Sequence, residues 1–319
     1  MKLLVIQNRK GIGDMVIFLP FIEAIAKKYN YSVSVLVKEN SKASHYLYNN
    51  KYINNIIILD RDNKKGTHSG LVGSIKLIKD IKKFKFEKVF IFNSSLRYYL
   101  ISKLAGIHQI YQYPLFKKKN QHIIKAAQNF LLKELNLDVE SNPQIELEES
   151  KIKNSKIKYN IDDNQLNIIL GIGGSGPTKR IPAEKFLQFM EMVSNNYKCK
   201  FFLATGKKQE EQLILNEILK SKFKNSCTPL DKLNLKDTLP IIKNCKIAVC
   251  NDSSFSHLSA ALGIPTIVLM SDTPLLYGNY SPKMYPIIPD GEDSVTHDTL
   301  GKEKINPEKI YNTLKKILS

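Results

Sequence analysis

The sequence predicts an α/β protein of two doubly wound domains, each a parallel sheet with helices on both faces. Three observations predict it. Short, continuous apolar runs alternate with longer stretches whose apolar residues recur at helical spacing, the pattern of strands buried on both faces. The alternation stops at residues 138–164, which are polar, with Glu-rich and Lys-rich patches and an Asn-Pro step, and restarts at Asn167. The 319 residues, 43% of them apolar, suffice for a core in each half.

In the first half, residues 2–7 read as a strand and Arg9 to Asp14 as a turn. A helix follows to Tyr29, with Phe18, Ile22, Ile25 and Ala26 on one face. Pro20 is tolerated only near a helix start, so the helix is expected to begin after Leu19. Strands are expected at residues 31–37, 56–59 and 88–92. Helices are expected at 71–84, where Leu71, Ile75, Ile78 and Ile81 share a face, at 96–105, stopped by Gly106, and at 121–135.

In the second half, strands are expected at 167–172, 201–204, 247–250 and 266–269. Helices are expected at 183–196, 209–220, 235–244 and 254–262. After Met270 the chain reads as loop until a terminal helix from Asn306, with Pro307 in its first turn. The domains are expected at 1–150 and 151–305. The terminal helix, 306–319, is expected to pack back on the N-terminal domain.

No run approaches the roughly 18 apolar residues of a membrane span, and the chain begins on a strand rather than a signal-peptide pattern, so a cytoplasmic location is expected. The four cysteines form no C-x-x-C pair and read as buried reduced thiols. Net charge is +18, of which the first 150 residues carry +11 and the rest +7. That balance suits an anionic partner such as a membrane face or acidic substrate, although a Lys-, Asn- and Ile-rich composition accounts for it equally. No nucleic-acid motif or interleaved aromatic platform accompanies it, so nucleic acid is not an expected partner.

Three stretches could carry chemistry. Gly11-Ile12-Gly13-Asp14 is not a dinucleotide fingerprint, because Val16 stands where the third glycine belongs and no acid closes strand two. It leaves Asp14 at a helix start, either as a dipole-favoured acid or as a general base. Gly173 to Lys179 is a flexible turn after a strand. Its glycines would let backbone approach a phosphate that Lys179 or Arg180 neutralises, or it is a plain loop. Asn251 to Pro265 reads as strand end, polar turn and small-residue helix. Free N–H groups and the positive dipole end would hold a diphosphate there, beside Asp252, Ser253, Ser254 and His257. The alternative is an N-capping Asp and a surface His. A Ser-His-Asp hydrolase lacks its elbow. Asp60-Arg61-Asp62 spells D-x-D without a nearby His or Glu and is not read as a metal site.

Taken together and in this order, these blocks resemble glycosyltransferase family 9, the heptosyltransferase-like enzymes of lipopolysaccharide core assembly. The carrying residues are Gly11-Ile12-Gly13-Asp14 with Pro20, Lys179-Arg180-Ile181-Pro182, and Asn251 to Pro265. The resemblance implies a GT-B fold, two Rossmann-like domains facing a cleft, with acceptor on the N-terminal domain and sugar nucleotide on the C-terminal one. It implies inverting, metal-independent transfer of a sugar, heptose from ADP-heptose, to a lipopolysaccharide core or related anionic glycolipid or oligosaccharide. No cofactor is implied, the sugar nucleotide being a co-substrate.

By the same resemblance Asp14 is the catalytic base. Gly174, Ser175, Thr178, Lys179, Arg180, Asp252, Ser253, Ser254 and His257 bind the donor, and Gly13, Asn93, Arg97 and His122 bind the acceptor. The lysines at 76, 79, 82 and 83 and the run 117–119 are candidate contacts to the cytoplasmic face of the inner membrane. The chain departs from the family at Ser254, where Gly is usual, at Ile181, where an aromatic is usual, and after Gly206, where Lys207-Lys208 precede the first acids, Glu210 and Glu211. A sugar-nucleotide epimerase and a non-catalytic nucleotide-sugar-binding protein are the two alternatives the same fold allows.

Overall fold

The computed structural model describes residues 1–61, 65–115 and 122–319. Asp62, the run Lys117–Lys119 and Gln121 therefore lie outside the described residues. The chain forms two units, Met1–Pro143 and Gln144–Ser319, so the boundary falls at Pro143 rather than residue 150.

The first unit contains β1 (Leu3–Gln7), α1 (Ile12–Tyr29), β2 (Val33–Lys38), β3 (Ile53–Leu59), α2 (Gly70–Lys82), β4 (Lys88–Ile91), α3 (Leu96–Leu104), β5 (Gln109–Gln112) and α4 (Ile123–Leu135). Its strands are all parallel, in the order β3-β2-β1-β4-β5. One sheet face packs against α2 and α3 through Leu77, Ile81, Tyr98 and Ile101. Helices α1 and α4 pack against each other.

The second unit contains α5 (Glu149–Lys158), β6 (Leu166–Gly171), α6 (Ala183–Ser194), β7 (Cys199–Ala204), α7 (Gln209–Lys220), β8 (Cys227–Pro229), α8 (Leu235–Lys243), β9 (Ile247–Asn251), α9 (Ser254–Ala261), β10 (Thr266–Leu269), β11 (Met284–Ile287) and α10 (Pro307–Leu318). Its six parallel strands run β11-β10-β9-β6-β7-β8. Both units thus have the Rossmann order, in which the chain leaves the first strand in one direction and later returns to its other side. The reversal lies between β1 and β4 in the first unit and between β6 and β9 in the second.

Several expectations are corrected. Helix α1 begins at Ile12, not after Leu19, and carries Pro20 in its interior. An interior proline costs about 3 kcal/mol. Nine buried residues between Met15 and Ala26 outweigh that cost, because shortening the helix would expose the first five of them. Residues 149–158 form a helix within the expected linker. Only Ser155 is buried there, so no apolar stripe signals it. Strands β5, β8 and β11 were not expected. They are short edge strands, and β8 and β11 contain Pro229 and Pro286, which an edge accepts and an interior strand does not. Helix α10 puts Ile310 and Leu314 into the core of its own unit with Phe186 and Phe189. Of the cysteines, Cys245 and Cys250 are buried, whereas Cys199 and Cys227 are only half-buried.

The reversal in the second unit depends on a close approach. Gly171 closes β6 opposite Cys250 of β9, and a Cβ on it would meet Cys250 Sγ at 2.6 Å and Cβ at 2.8 Å. Substituting Gly171→Ala is therefore expected to spread the two central strands and destabilise the protein by about 1–3 kcal/mol, read as a lower urea midpoint with unchanged slope.

Candidate functional site

The candidate site residues other than His122 follow the carboxyl ends of the strands that flank the two reversals, where sheets of this kind bind ligands. In the second unit, β6 feeds the loop Ile172–Pro182 and β9 feeds the turn Asn251–Ser253. Asn251 joins them: its Nδ2 donates to the carbonyls of Ile172 (2.9 Å) and Gly173 (3.2 Å). Lys179 joins them again, its Nζ lying 2.7 Å from Asp252 Oδ2. Asp252 is 6% exposed. Burial is the strongest single influence on it and opposes ionisation. The charges of Lys179 and His257 and the Lys179 hydrogen bond together outweigh it, holding the carboxyl below the usual carboxylate range.

His257, on α9, is buried rather than a surface residue. Its ring stacks on Tyr280 with centroids 5.6 Å apart, its Nδ1 lies 2.8 Å from the Tyr280 hydroxyl, and its Nε2 lies 3.9 Å from Asp252 Oδ1. Ser253, not Asp252, occupies the N-cap of α9, and its side chain makes no capping bond. The N-cap side chain therefore covers none of the first-turn N–H groups of α9, of which Ser256 N already bonds the Ser253 carbonyl at 3.1 Å. Ser254 opens the helix and Ser175 is exposed on the neighbouring loop. Ser271 Oγ donates to Thr178 O at 2.9 Å, which pins the loop just before Lys179.

Arg180 turns the other way. It is buried, and its Nη1 meets Glu210 Oε2 at 3.2 Å. Glu211 is also buried, and its Oε1 accepts from Gly174 N at 3.0 Å. Added Cβ atoms on Gly173 and Gly206 would collide with its carboxylate. The first acids after Gly206, Glu210 and Glu211, are thus delivered from the first turn of α7, and Glu211 folds back on the glycine loop. Glu211 and Tyr280 belong to the candidate site by their contacts, and sequence reasoning assigned neither. The signal for Glu211 was its position in the first helical turn after Thr205-Gly206, and Tyr280 lies in a segment read as loop. Ile181 is wholly buried in the core, which explains an aliphatic side chain there.

The first unit repeats the layout. Gly11, at φ +96°, turns the chain out of β1 into α1, and Gly13 and Asp14 lie in the helix's first turn. Arg9 Nε bonds Asp14 Oδ1 at 2.9 Å. From the end of β4, Asn93 Nδ2 reaches Asn8 Oδ1 at 3.1 Å, tying the two strands across the reversal. Gln112 Nε2 donates to the carbonyls of Asn93 (2.9 Å) and Ser95 (3.0 Å) and holds that turn from β5. Arg97 bonds His68 O through Nη2 at 2.5 Å. Burial and then the charge of Arg61 push its guanidinium below the ordinary arginine value. His122 stands exposed at the start of α4. It is not brought together with Asn93 by any bond among the described residues.

A cavity of about 300 Å³ opens beside Arg9, floored by Phe18, Phe92, Tyr113 and Phe130, with Asn129 and Lys133 also on its wall. His68 does lie against Asp60, accepting from its N–H at Nδ1 (3.1 Å), contrary to the expectation of no nearby His. Among the described residues no group of three or more His, Cys, Asp or Glu is placed to share a metal ion. Nor is any helix among them long and apolar enough to cross a membrane.

Comparison with known proteins agrees with the fold. The family model described as "Glycosyltransferase family 9 (heptosyltransferase)" matches residues 101–304. Lipooligosaccharide heptosyltransferase 2 of Haemophilus influenzae is 30% identical over 36% of this chain and 32% of that protein, so this local match spans about a third of the relative. Lipopolysaccharide heptosyltransferase 1 of Campylobacter coli is 20% identical over 92% of this chain and 90% of that one. The E. coli ADP-heptose lps heptosyltransferase II structure superposes with a TM-score of 0.76 at 18% identity, covering 100% of this chain and 98% of the other. That likeness shows the fold.

The Asp252–Lys179 pair should be felt in stability. Asp252→Asn leaves a partly buried ammonium without its carboxylate and is expected to cost about 2–3 kcal/mol, or about 5–10 °C in Tm. Because the folded carboxyl sits below its unfolded value, its contribution is present at neutral pH. It is lost only as pH falls below about 4 and through the lower folded value. Acid unfolding of wild type and Asp252→Asn should therefore converge at the acid end.

Proposed function

The chain belongs to glycosyltransferase family 9, and from that premise we propose that it transfers a heptose from ADP-heptose to a lipopolysaccharide core or related anionic glycolipid, with inversion and without a metal. The observation that carries the reading is the pairing of Lys179 with Asp252 at the uncapped start of α9, on the β6–β9 reversal. A nucleotide diphosphate needs compensation for its charge as the sugar departs. The N–H groups and positive end of α9 supply part of it, and the Lys179 ammonium the rest. Asp252 holds that ammonium in place and the phosphates share it. Glu211 shapes the Gly-rich loop by fixing the Gly174 N–H, while Arg180 is committed to Glu210 and acts on the loop rather than on phosphate.

In the proposed reaction the acceptor hydroxyl oxygen attacks the anomeric carbon from the face opposite the diphosphate. Its proton passes to Asp14, and the bond to ADP breaks with its electron pair staying on phosphate. One displacement inverts the anomeric centre. Arg9 fixes Asp14 Oδ1, which orients Oδ2 toward the proton it takes. Gly13 lets the acceptor approach the start of α1. Asn93, Arg97 and His122 are proposed to contact the acceptor, and Ser175, Thr178, Ser253, Ser254 and His257 to line the donor side. The protein is proposed to work in the cytoplasm, with no nucleic-acid partner.

Asp14→Ala is expected to lower turnover by about 10²–10⁴-fold while ADP-heptose affinity, measured by calorimetry, stays within about threefold. Lys179→Met is expected to weaken ADP binding and to lower turnover by about 10²–10³-fold. Turnover should be unchanged after exhaustive dialysis against EDTA. Full activity of Asp14→Ala would remove that residue from the mechanism. Conversion of the sugar nucleotide without any acceptor would replace transfer by epimerisation.

A further inference from the structure

The largest apolar side chains left in water lie on one side of the first unit. Leu71 is 87% exposed, Val72 82% and Ile75 55%. All three lie in the first two turns of α2. At 100° per residue, positions 71, 72, 75, 76, 79 and 82 fall within an arc of about 140°. One exposed face of the helix is therefore apolar at its start and basic beyond, through Lys76, Lys79 and Lys82. Lys83, the C-cap, falls within the same arc but is paired with Asp80 at 2.6 Å.

Helix α3 packs beside α2 on the same sheet face. It exposes Leu96, Leu100 and Leu104, the last at 65%, with Lys103 among them. The Arg97–His68 bond ties the first turn of α3 to the segment entering α2, so the apolar start of α2 and Leu96 of α3 lie at the same end of this face, and Leu100 and Leu104 continue the exposed leucines along α3. Large apolar side chains left exposed on two adjacent helices of one sheet face point to an interaction site.

We propose that the α2–α3 face docks on an anionic phospholipid surface. Leu71, Val72, Ile75 and Leu100 would enter the boundary between headgroups and acyl chains, with Lys76, Lys79, Lys82 and Lys103 on the headgroup phosphates. The charge selects the occupant. A second copy of the chain would bring the same lysines against themselves, whereas a planar surface of single negative sign satisfies the basic band while the apolar band gains burial. The inference goes beyond the transferase reading, and gives a lipid-borne acceptor a place where the enzyme meets it. It rests on exposure and charge, not on turnover.

The test is co-sedimentation of the full chain with vesicles of phosphatidylcholine alone and of phosphatidylcholine mixed with phosphatidylglycerol. Binding is expected to the mixed vesicles and to fall steeply with added salt. The triple variants Leu71→Ser/Val72→Ser/Ile75→Ser and Lys76→Gln/Lys79→Gln/Lys82→Gln are each expected to lower partitioning about tenfold or more with unchanged thermal melts. Equal binding to both vesicle types, no binding to either, or wild-type binding by either variant overturns the proposal. So does a solution dimer that the apolar variant converts to monomer, which would make the face an interface between copies. ADP affinity, measured without lipid, tests the transferase reading separately, so failure of one leaves the other standing.

Discussion

A carboxylate cannot be buried alone, and Asp252 is buried almost completely. Much of the second unit's site follows from that constraint. The carboxylate needs a cation, and it recruits one from a loop 73 positions away in the chain, Lys179. The pairing brings the Gly-rich loop after β6 over the turn after β9. It also gives His257 a reason to be inside the protein, with Asp252 on one side of its ring and Tyr280 stacked on it. The result is an ammonium fixed at the start of a helix that its N-cap side chain leaves uncapped. A lysine free in solvent would lose side-chain entropy on meeting a phosphate; one already held loses less.

The first unit meets the same topological demand with weaker chemistry. Its reversal is bridged by neutral amides, Asn93 to Asn8, with Gln112 behind them. Its charged pair, Arg9 with Asp14, is local, five residues apart and more exposed. That difference fits the roles proposed. A diphosphate carries its own charge and needs a fixed countercharge. An acceptor hydroxyl is neutral until it reacts and needs a carboxylate whose orientation is set but whose second oxygen can reach a proton.

How much of this was legible in the sequence depended on the kind of interaction. The central strands of both sheets were legible because they are buried on both faces and read as continuous apolar runs. The edge strands β5, β8 and β11 were not, because an edge tolerates Gln, Thr and Pro that break up an apolar run. Helix α5 has no apolar stripe to be seen. The early start of α1 was hidden by Pro20, a local signal that the burial of its flanking residues overrides. At the site, Asp14, Lys179 and Asp252 stood out because each lies in a turn that follows a strand. Glu211 did not, since nothing in its neighbours says that its side chain folds back to Gly174. Nor could the sequence show that Arg180, beside Lys179, points away from it to Glu210.

Charge shows the same limit from the other side. A net charge of +18 spread along a chain says little, because a compositional excess of lysine and a functional one look alike. Structure separates them by neighbourhood. Lys151 and Lys83 lie against carboxylates a turn away, Glu148 and Asp80, and serve their own helices. Lys76, Lys79 and Lys82 instead extend a band of solvent-facing leucine, valine and isoleucine on α2. Lysine on a face with nothing to bind would leave no reason for Leu71 and Val72 to stay in water, where each costs the free energy its burial would recover. The apolar residues, not the charge, distinguish that face from the rest of a basic surface. They also place the question of what covers it on the unit where the acceptor is proposed to bind.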